Sequence, residues 1–191
     1  MIRIINYLFG VTFIGMGINM LIQANKGLDP WGIFNLAFAD TLNISLGSFY
    51  VYSGVLFIAI NALIQRKRPD ILGLLTAFLI GASIDLFAQV NNLIFVNIAW
   101  LIFILGLLFF CLGLSLYLST NFPRSPVDDL IFSIQKITGW SFKLSKIILD
   151  ASVLIVGLLM GGVLGVGTVL MVLIVGPLIT TFTKIWRWNN G

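Results

Sequence analysis

Six stretches of the chain are apolar over about the twenty residues that a helix needs to cross a bilayer core roughly 30 Å thick. They run from about Ile4 to Gln23, Leu46 to Ile64, Ile71 to Val90, Leu93 to Leu118, Ser141 to Met160 and Leu164 to Ile185. The second is stopped by Arg66-Lys67-Arg68-Pro69, and the third carries Asp85. The fourth has no charge, the fifth carries Lys143, Lys146 and Asp150, and the last is uncharged until Lys184. Two shorter segments are left over. After the first stretch comes Gly27-Leu28-Asp29-Pro30-Trp31 and a helical pattern to about Asn43; after the fourth comes Pro123-Arg124-Ser125-Pro126 and a similar pattern to about Gly139. Asp29 and Ser125 suit the N-cap of a helix, and the proline that follows each suits its first turn. Helices this short do not span, so each is expected either to re-enter the membrane as a half-helix or to lie flat at an interface. Trp31 and Trp140 would anchor the flat arrangement.

The two halves resemble each other. A shift of 96 residues superposes Gly10 on Gly106, Phe13 on Phe109, Gly17 on Gly113, Asn25 on Asn121, Pro30 on Pro126 and Ser45 on Ser141, without a gap. Each unit reads as span, short helix, span, span. Three spans is an odd number, so the second copy must enter the membrane upside down. The expected architecture is therefore an all-α integral membrane protein, one domain over 1–191. Its six transmembrane helices form two inverted three-span repeats, about 1–92 and 93–191. With the N-terminus in the cytoplasm, ten Lys and Arg residues fall inside and only Lys26 outside. That bias predicts both termini in the cytoplasm.

Composition agrees and narrows the chemistry. Hydrophobic residues make up 59% of 191 residues, charged residues 9%, and the mean hydropathy is +1.08. A soluble domain could not cover its surface with so few polar groups, and a disordered chain has the opposite composition. The net charge of +4 reflects basic residues at helix ends, so no nucleic-acid partner is expected. There is no His, all seven acids are Asp, and Cys111 is the one cysteine. A Ser–His or Cys–His pair, a His-ligated metal and an intrachain disulfide are all out of reach. No cofactor is expected, nor an enzyme, since Asp85 and Asp150 lack flanking motifs of intramembrane aspartyl chemistry.

The candidate pathway residues are Asp29, Ser125, Asp128, Asp85, Asp150, Lys146, Asn25 and Asn121. Helix starts carry partial positive charge and free N–H groups, so two starts facing each other would receive an anionic or polar solute. A carboxylate within a span is costly and is expected to face the protein interior. Gly73, Ala77 and Gly81 precede Asp85 at four-residue steps, which allows close helix packing on that face. Lys146 sits one turn before Asp150, so the two are expected to pair or to share a switchable proton. Asp128 and Asp129 fall in a first turn, where acids meet the dipole. Gly157, Gly161, Gly162, Gly165 and Gly167 mark a tight turn between the last two spans.

Gly161-Gly162-Val163-Leu164-Gly165-Val166-Gly167-Thr168, continued by Gly176-Pro177, resembles the last-helix motif of the YczE/YyaS/YitT family of bacterial membrane proteins. Gly27-Leu28-Asp29-Pro30-Trp31 resembles its first-loop motif, and Pro126-Val127-Asp128-Asp129-Leu130 its mid-chain element. The resemblance covers nearly the whole chain. It implies a bacterial inner-membrane protein of several spans and implies no catalytic residues. The function expected from the paired half-helices is transport of a small polar or anionic solute, with proton coupling through Asp85 or Asp150. The alternatives are an accessory or substrate-binding subunit of a larger complex, and a passive channel. Expected partners are the lipid bilayer, an unidentified small solute, and either a second copy of the chain or another membrane protein.

Overall fold

The computed structural model describes residues 2–69, 71–90, 98–120, 122 and 125–188. Asn121 and Arg124 lie outside the described residues. Eight helices follow in order: α1 (Ile2–Ala24), α2 (Pro30–Leu42), α3 (Leu46–Gln65), α4 (Leu72–Val90), α5 (Ala99–Ser119), α6 (Pro126–Thr138), α7 (Phe142–Leu159) and α8 (Val166–Trp188). Five of them, α1, α3, α4, α5 and α8, are long and apolar enough to cross a membrane. The remaining expected span, α7, has 18 residues and carries Lys143, Lys146 and Asp150, so composition alone does not qualify it. Large apolar side chains such as Leu56, Leu63, Phe78, Val169 and Leu173 point outward. That outer surface suits hydrocarbon, since lipid demands only that backbone groups be satisfied within the fold.

Local chemistry sets the helix ends as the chain pattern predicts. Ser45, Ser125 and Ser141 each accept a hydrogen bond from the backbone N–H three residues on, opening α3, α6 and α7. Pro30 and Pro126 occupy first-turn positions, where a missing N–H removes a donor that would otherwise lack a partner. Asn43 and Gly139 end α2 and α6 in the left-handed conformation. A tight turn at 43–45 then folds α2 back along α3, with Phe38 stacked on Phe49 and Trp31 edge-on to Phe57.

The closest helix pair is α1 with α5, antiparallel. Gly10 packs on the backbone of Gly113 and Tyr117, and Gly17 on that of Gly106 and Phe110. A Cβ at Gly10 would come within 2.7 Å of the Tyr117 nitrogen. The α3–α4 pair uses the same device, Gly47 against Gly81 and Gly54 against Ala77, as the four-residue spacing anticipated. Around these pairs, α1 packs on α4, α5 on α8, α2 on α7, and α6 on α3.

The glycine cluster between α7 and α8 has a packing role. Gly157 lies against the backbone of Phe34 in α2, and Gly162 against Ile33. The N–H of Gly167 donates to the carbonyl of Lys26 at 2.7 Å, and Gly27 turns at φ +118° against Thr168. This docking holds the 25–29 segment, and with it the start of α2.

Replacing Gly17 by Leu should drive α1 and α5 apart and lower stability by about 3 kcal/mol. Gly176→Ala, with nothing within 4 Å of the added carbon, should not. Denaturation in mixed dodecylmaltoside–SDS micelles measures both.

Candidate functional site

The first turns of α2 and α6 converge on one cavity of about 390 Å³. Asp29, Pro30 and Trp31 line it from one side, and Ser125, Pro126 and Asp128 from the other. The other walls come from near the middle of the long helices: Ile14 of α1, Gly54 of α3, Ile80 of α4, Phe110 of α5, Asp150 of α7 and Val175 of α8. The volume falls in the range of small-molecule sites. A second cavity of about 240 Å³ lies among α3, α4 and α6, with Asn61, Gln65, Lys67, Arg68 and Asp129 in its wall and none of the residues of α2 or α7.

Each short helix reaches the cavity because its first turn packs beside mid-length residues of a neighbour. Trp31 donates its indole N–H to Asp150 Oδ1 at 2.8 Å. Pro126 lies by Gly54, and its carbonyl accepts from Asn61 Nδ2 at 3.1 Å. In α2, Pro30 through Asn35 are all buried, so this helix does not present the exposed face of one lying in an interface. The anchoring role considered for Trp31 is thereby corrected. It is only 7% exposed, and its polar edge is spent on Asp150.

Charged groups gather here. Lys146 Nζ meets Asp150 Oδ2 at 2.8 Å. Ser125 Oγ donates to Asp128 Oδ2 at 2.9 Å and accepts from the Asp128 N–H at 3.3 Å, so cap and acid satisfy each other. Tyr117 donates its hydroxyl to the same carboxylate at 3.4 Å and accepts from the Ser125 N–H. Asp29 faces the N–H groups of Trp31 and Gly32 at the start of α2 without closing a well-aligned bond. Burial pushes its carboxyl up to about 6, opposed by the nearby Lys146 and reinforced by Asp150. Both helix starts are thus already faced by a carboxylate.

Of the residues expected to form a pathway, the structure brings together Asp29, Ser125, Asp128, Lys146 and Asp150. It puts Asp85 elsewhere. That carboxylate accepts from Ser45 Oγ at 2.6 Å and from the Gly47 N–H at 2.9 Å, clamping the start of α3 to α4. Asn25 closes α1, its N–H donating to the Ile22 carbonyl, and does not line the cavity. Asn121 lies outside the described residues. Sequence reasoning missed Tyr50, Tyr117 and Asn35. Asn35 is 2% exposed; its Nδ2 donates to the Trp31 carbonyl at 2.8 Å, while its Oδ1 is buried without a partner. A lone amide one turn after Trp31 in a short apolar helix was the available signal.

A bundle of apolar helices around a charged, aromatic-walled hollow defines a multi-pass α-helical membrane protein. The chain belongs to DUF6198, a family of unknown function, whose pattern matches residues 1–184. It is 32% identical over 183 residues to the uncharacterized protein YyaS of Bacillus subtilis (strain 168), covering 94% of this chain and 91% of the relative. It is 27% identical over 172 residues to the uncharacterized membrane protein YczE of the same organism, covering 89% and 80%. A Haemophilus influenzae protein is 26% identical over 181 residues, covering 93% and 82%. The kinship with YczE and YyaS read from the motifs therefore holds. No solved structure matches the chain.

Two outcomes follow from this geometry. Asp85→Ala should cost about 1–2 kcal/mol of stability by leaving the start of α3 without its clamp, read by the same micellar denaturation. Because folding raises the pKa of Asp29, the folded state binds that proton more tightly. Its contribution to stability is then present in acid and lost as pH rises through about 6. Asp29→Asn should accordingly raise the thermal midpoint at pH 8 and leave it nearly unchanged at pH 4.

Proposed function

We propose that the chain is a permease of the bacterial cytoplasmic membrane that carries a small polar solute through the central cavity. It crosses the membrane six times, by α1, α3, α4, α5, α7 and α8, as two three-span units of opposite orientation with both termini in the cytoplasm. The observation that carries this reading is the convergence of two short-helix starts on one cavity at the mid-length of the long helices. Discontinuous helices whose N-termini face a midplane site are a recurring way for transporters to hold a solute.

Inversion has its own support. Under the 96-residue shift, Gly10 corresponds to Gly106 and Gly17 to Gly113. Gly10 packs on Gly113 and Gly17 on Gly106, which is what a two-fold axis between antiparallel α1 and α5 requires. The pairs α1–α4 and α5–α8 correspond in the same way, as do α2–α7 and α6–α3. The charges on α7 are compatible with a crossing, because Lys146 and Asp150 pair with each other and line the cavity, while Lys143 lies in the first turn of the helix. The excess of basic residues on one side supports the orientation.

Cysteine labelling and uptake together test the reading. In a Cys111→Ser background, Thr41→Cys at the end of α2 should react with a membrane-impermeant maleimide from outside intact cells. Lys136→Cys at the end of α6 should react only after permeabilisation. Reaction of both from one side overturns the inversion. Proteoliposomes of the purified chain should take up solute saturably; uptake that rises linearly with concentration points to a channel, and none at all to an accessory subunit.

A further inference from the structure

The two halves of the chain differ at one seam. In the first half, α3 and α4 pack along their length. Gly47 lies on Gly81 with no room for a side-chain carbon on either, and Gly54 lies on Ala77. In the second half, α7 and α8 are joined through the turn over 160–165 and, among the described residues, do not pack on each other beyond it. A shift of 95 places Gly176 where Gly81 stands, and nothing lies within 4 Å of a carbon added there. Ala77 is 3% exposed, whereas its counterpart Val172 is 61% exposed. The difference is written into the sequence. Lys143 and Asp150 stand in α7 where α3 has Gly47 and Gly54, and neither lets two backbones touch.

Contacts fix which end is open. Tyr7, near the start of α1, bonds to Thr76, near the start of α4, at 2.7 Å, and its ring lies 6.0 Å from that of Tyr117, near the end of α5. Gly167 at the start of α8 lies on Phe103 near the start of α5, and the two helices pack side by side, so they also end together. The gap between α7 and α8 therefore widens toward the face that holds the starts of α1 and α4 and the basic Arg66-Lys67-Arg68. The central cavity reaches into this gap, lined by Phe142, Lys146 and Asp150 of α7 and by Val172, Val175 and Gly176 of α8. Lys146 and Asp150 keep 48% and 22% of their side-chain surface exposed. Charge exposed within a bilayer needs water, so the gap is an aqueous mouth. At the opposite face the seam between α3 and α4 is shut, and Asp85 ties it by accepting from Ser45 and from the Gly47 N–H.

We infer that the structure is the form of the permease open to the cytoplasm, and that the Asp85 clamp is the latch that keeps the outer face shut. The inference rests on the permease reading for the naming of the faces and for movement of a solute, though not for the one-sided opening. With the clamp released, α3 and α4 can part as α7 and α8 do here, which opens the same cavity to the other side. Asp85 does not line the cavity. It is a positioning residue that acts through the seam.

The test places one cysteine in the cavity wall, Gly176→Cys in a Cys111→Ser background, and follows its modification by the membrane-impermeant trimethylammonioethyl methanethiosulfonate. Inside-out vesicles should react at least about tenfold faster than right-side-out vesicles. Adding Asp85→Ala should raise the rate from outside about tenfold. Asp85→Asn, which keeps an acceptor for the Gly47 N–H, should fall between. Native Cys111, buried and not part of the cavity wall, should stay unreactive in an otherwise unaltered Asp85→Ala chain. If Asp85→Ala does not fold, Asp85→Asn and the sidedness of the parent decide. Equal rates from both faces, a faster rate from outside, or an outside rate indifferent to Asp85 overturns the inference. So does parallel exposure of Cys111, which is the mark of general loosening. Failure of the permease reading looks different: sidedness and its dependence on Asp85 hold, yet proteoliposomes take up no solute.

Discussion

The N–H groups that open a helix have no partner within it, and away from water each must be matched from outside. Two helices of this chain begin deep inside the bundle, so the fold must supply those partners there. Pro30 and Pro126 each delete one donor. Ser125 and Asp128 close the start of α6 between them, with Tyr117 bracing both. Asp29 faces the start of α2 less completely. The neighbouring Trp31 turns its indole to Asp150, which in turn holds Lys146. Placing two helix starts in the interior thus brings three carboxylates and an ammonium into one hollow.

Glycine makes that placement possible. The α1–α5 crossing and the α3–α4 pair bring backbones together without side chains between them. The loop before α8 is glycine-rich because it must accept the Lys26 carbonyl and the turn at Gly27 at close range. A side chain at these positions would displace the segment that ends in Asp29. Motif glycines far from the chemistry therefore fix where the chemistry sits.

Within the proposed inverted arrangement, backbone roles repeat and chemical roles do not. Pro30 and Pro126, Ser45 and Ser141, and the glycines of α1 and α5 are equivalent and do equivalent things. The polar cavity residues have different counterparts: Asp29 matches Ser125, Tyr50 matches Lys146, and Gly54 matches Asp150. The proposed duplication would thus leave one scaffold with two unlike walls.

Read alone, the chain determined the membrane class, the helices and the two short segments between spans. Those depend on runs of apolar residues and on caps such as Ser45, Ser125 and Ser141, whose physics acts within a few residues. It also paired Lys146 with Asp150, because one helical turn fixes that distance. Only the tertiary structure decided which acids share a site. Asp85 and Asp150 look alike as carboxylates within apolar stretches, yet one clamps a helix start and the other faces the cavity. Trp31 reads from composition as an interface anchor, and it became a buried donor once α2 lay along the middle of α7. Charge at a site is summed over residues more than a hundred positions apart, and no local pattern carries that sum.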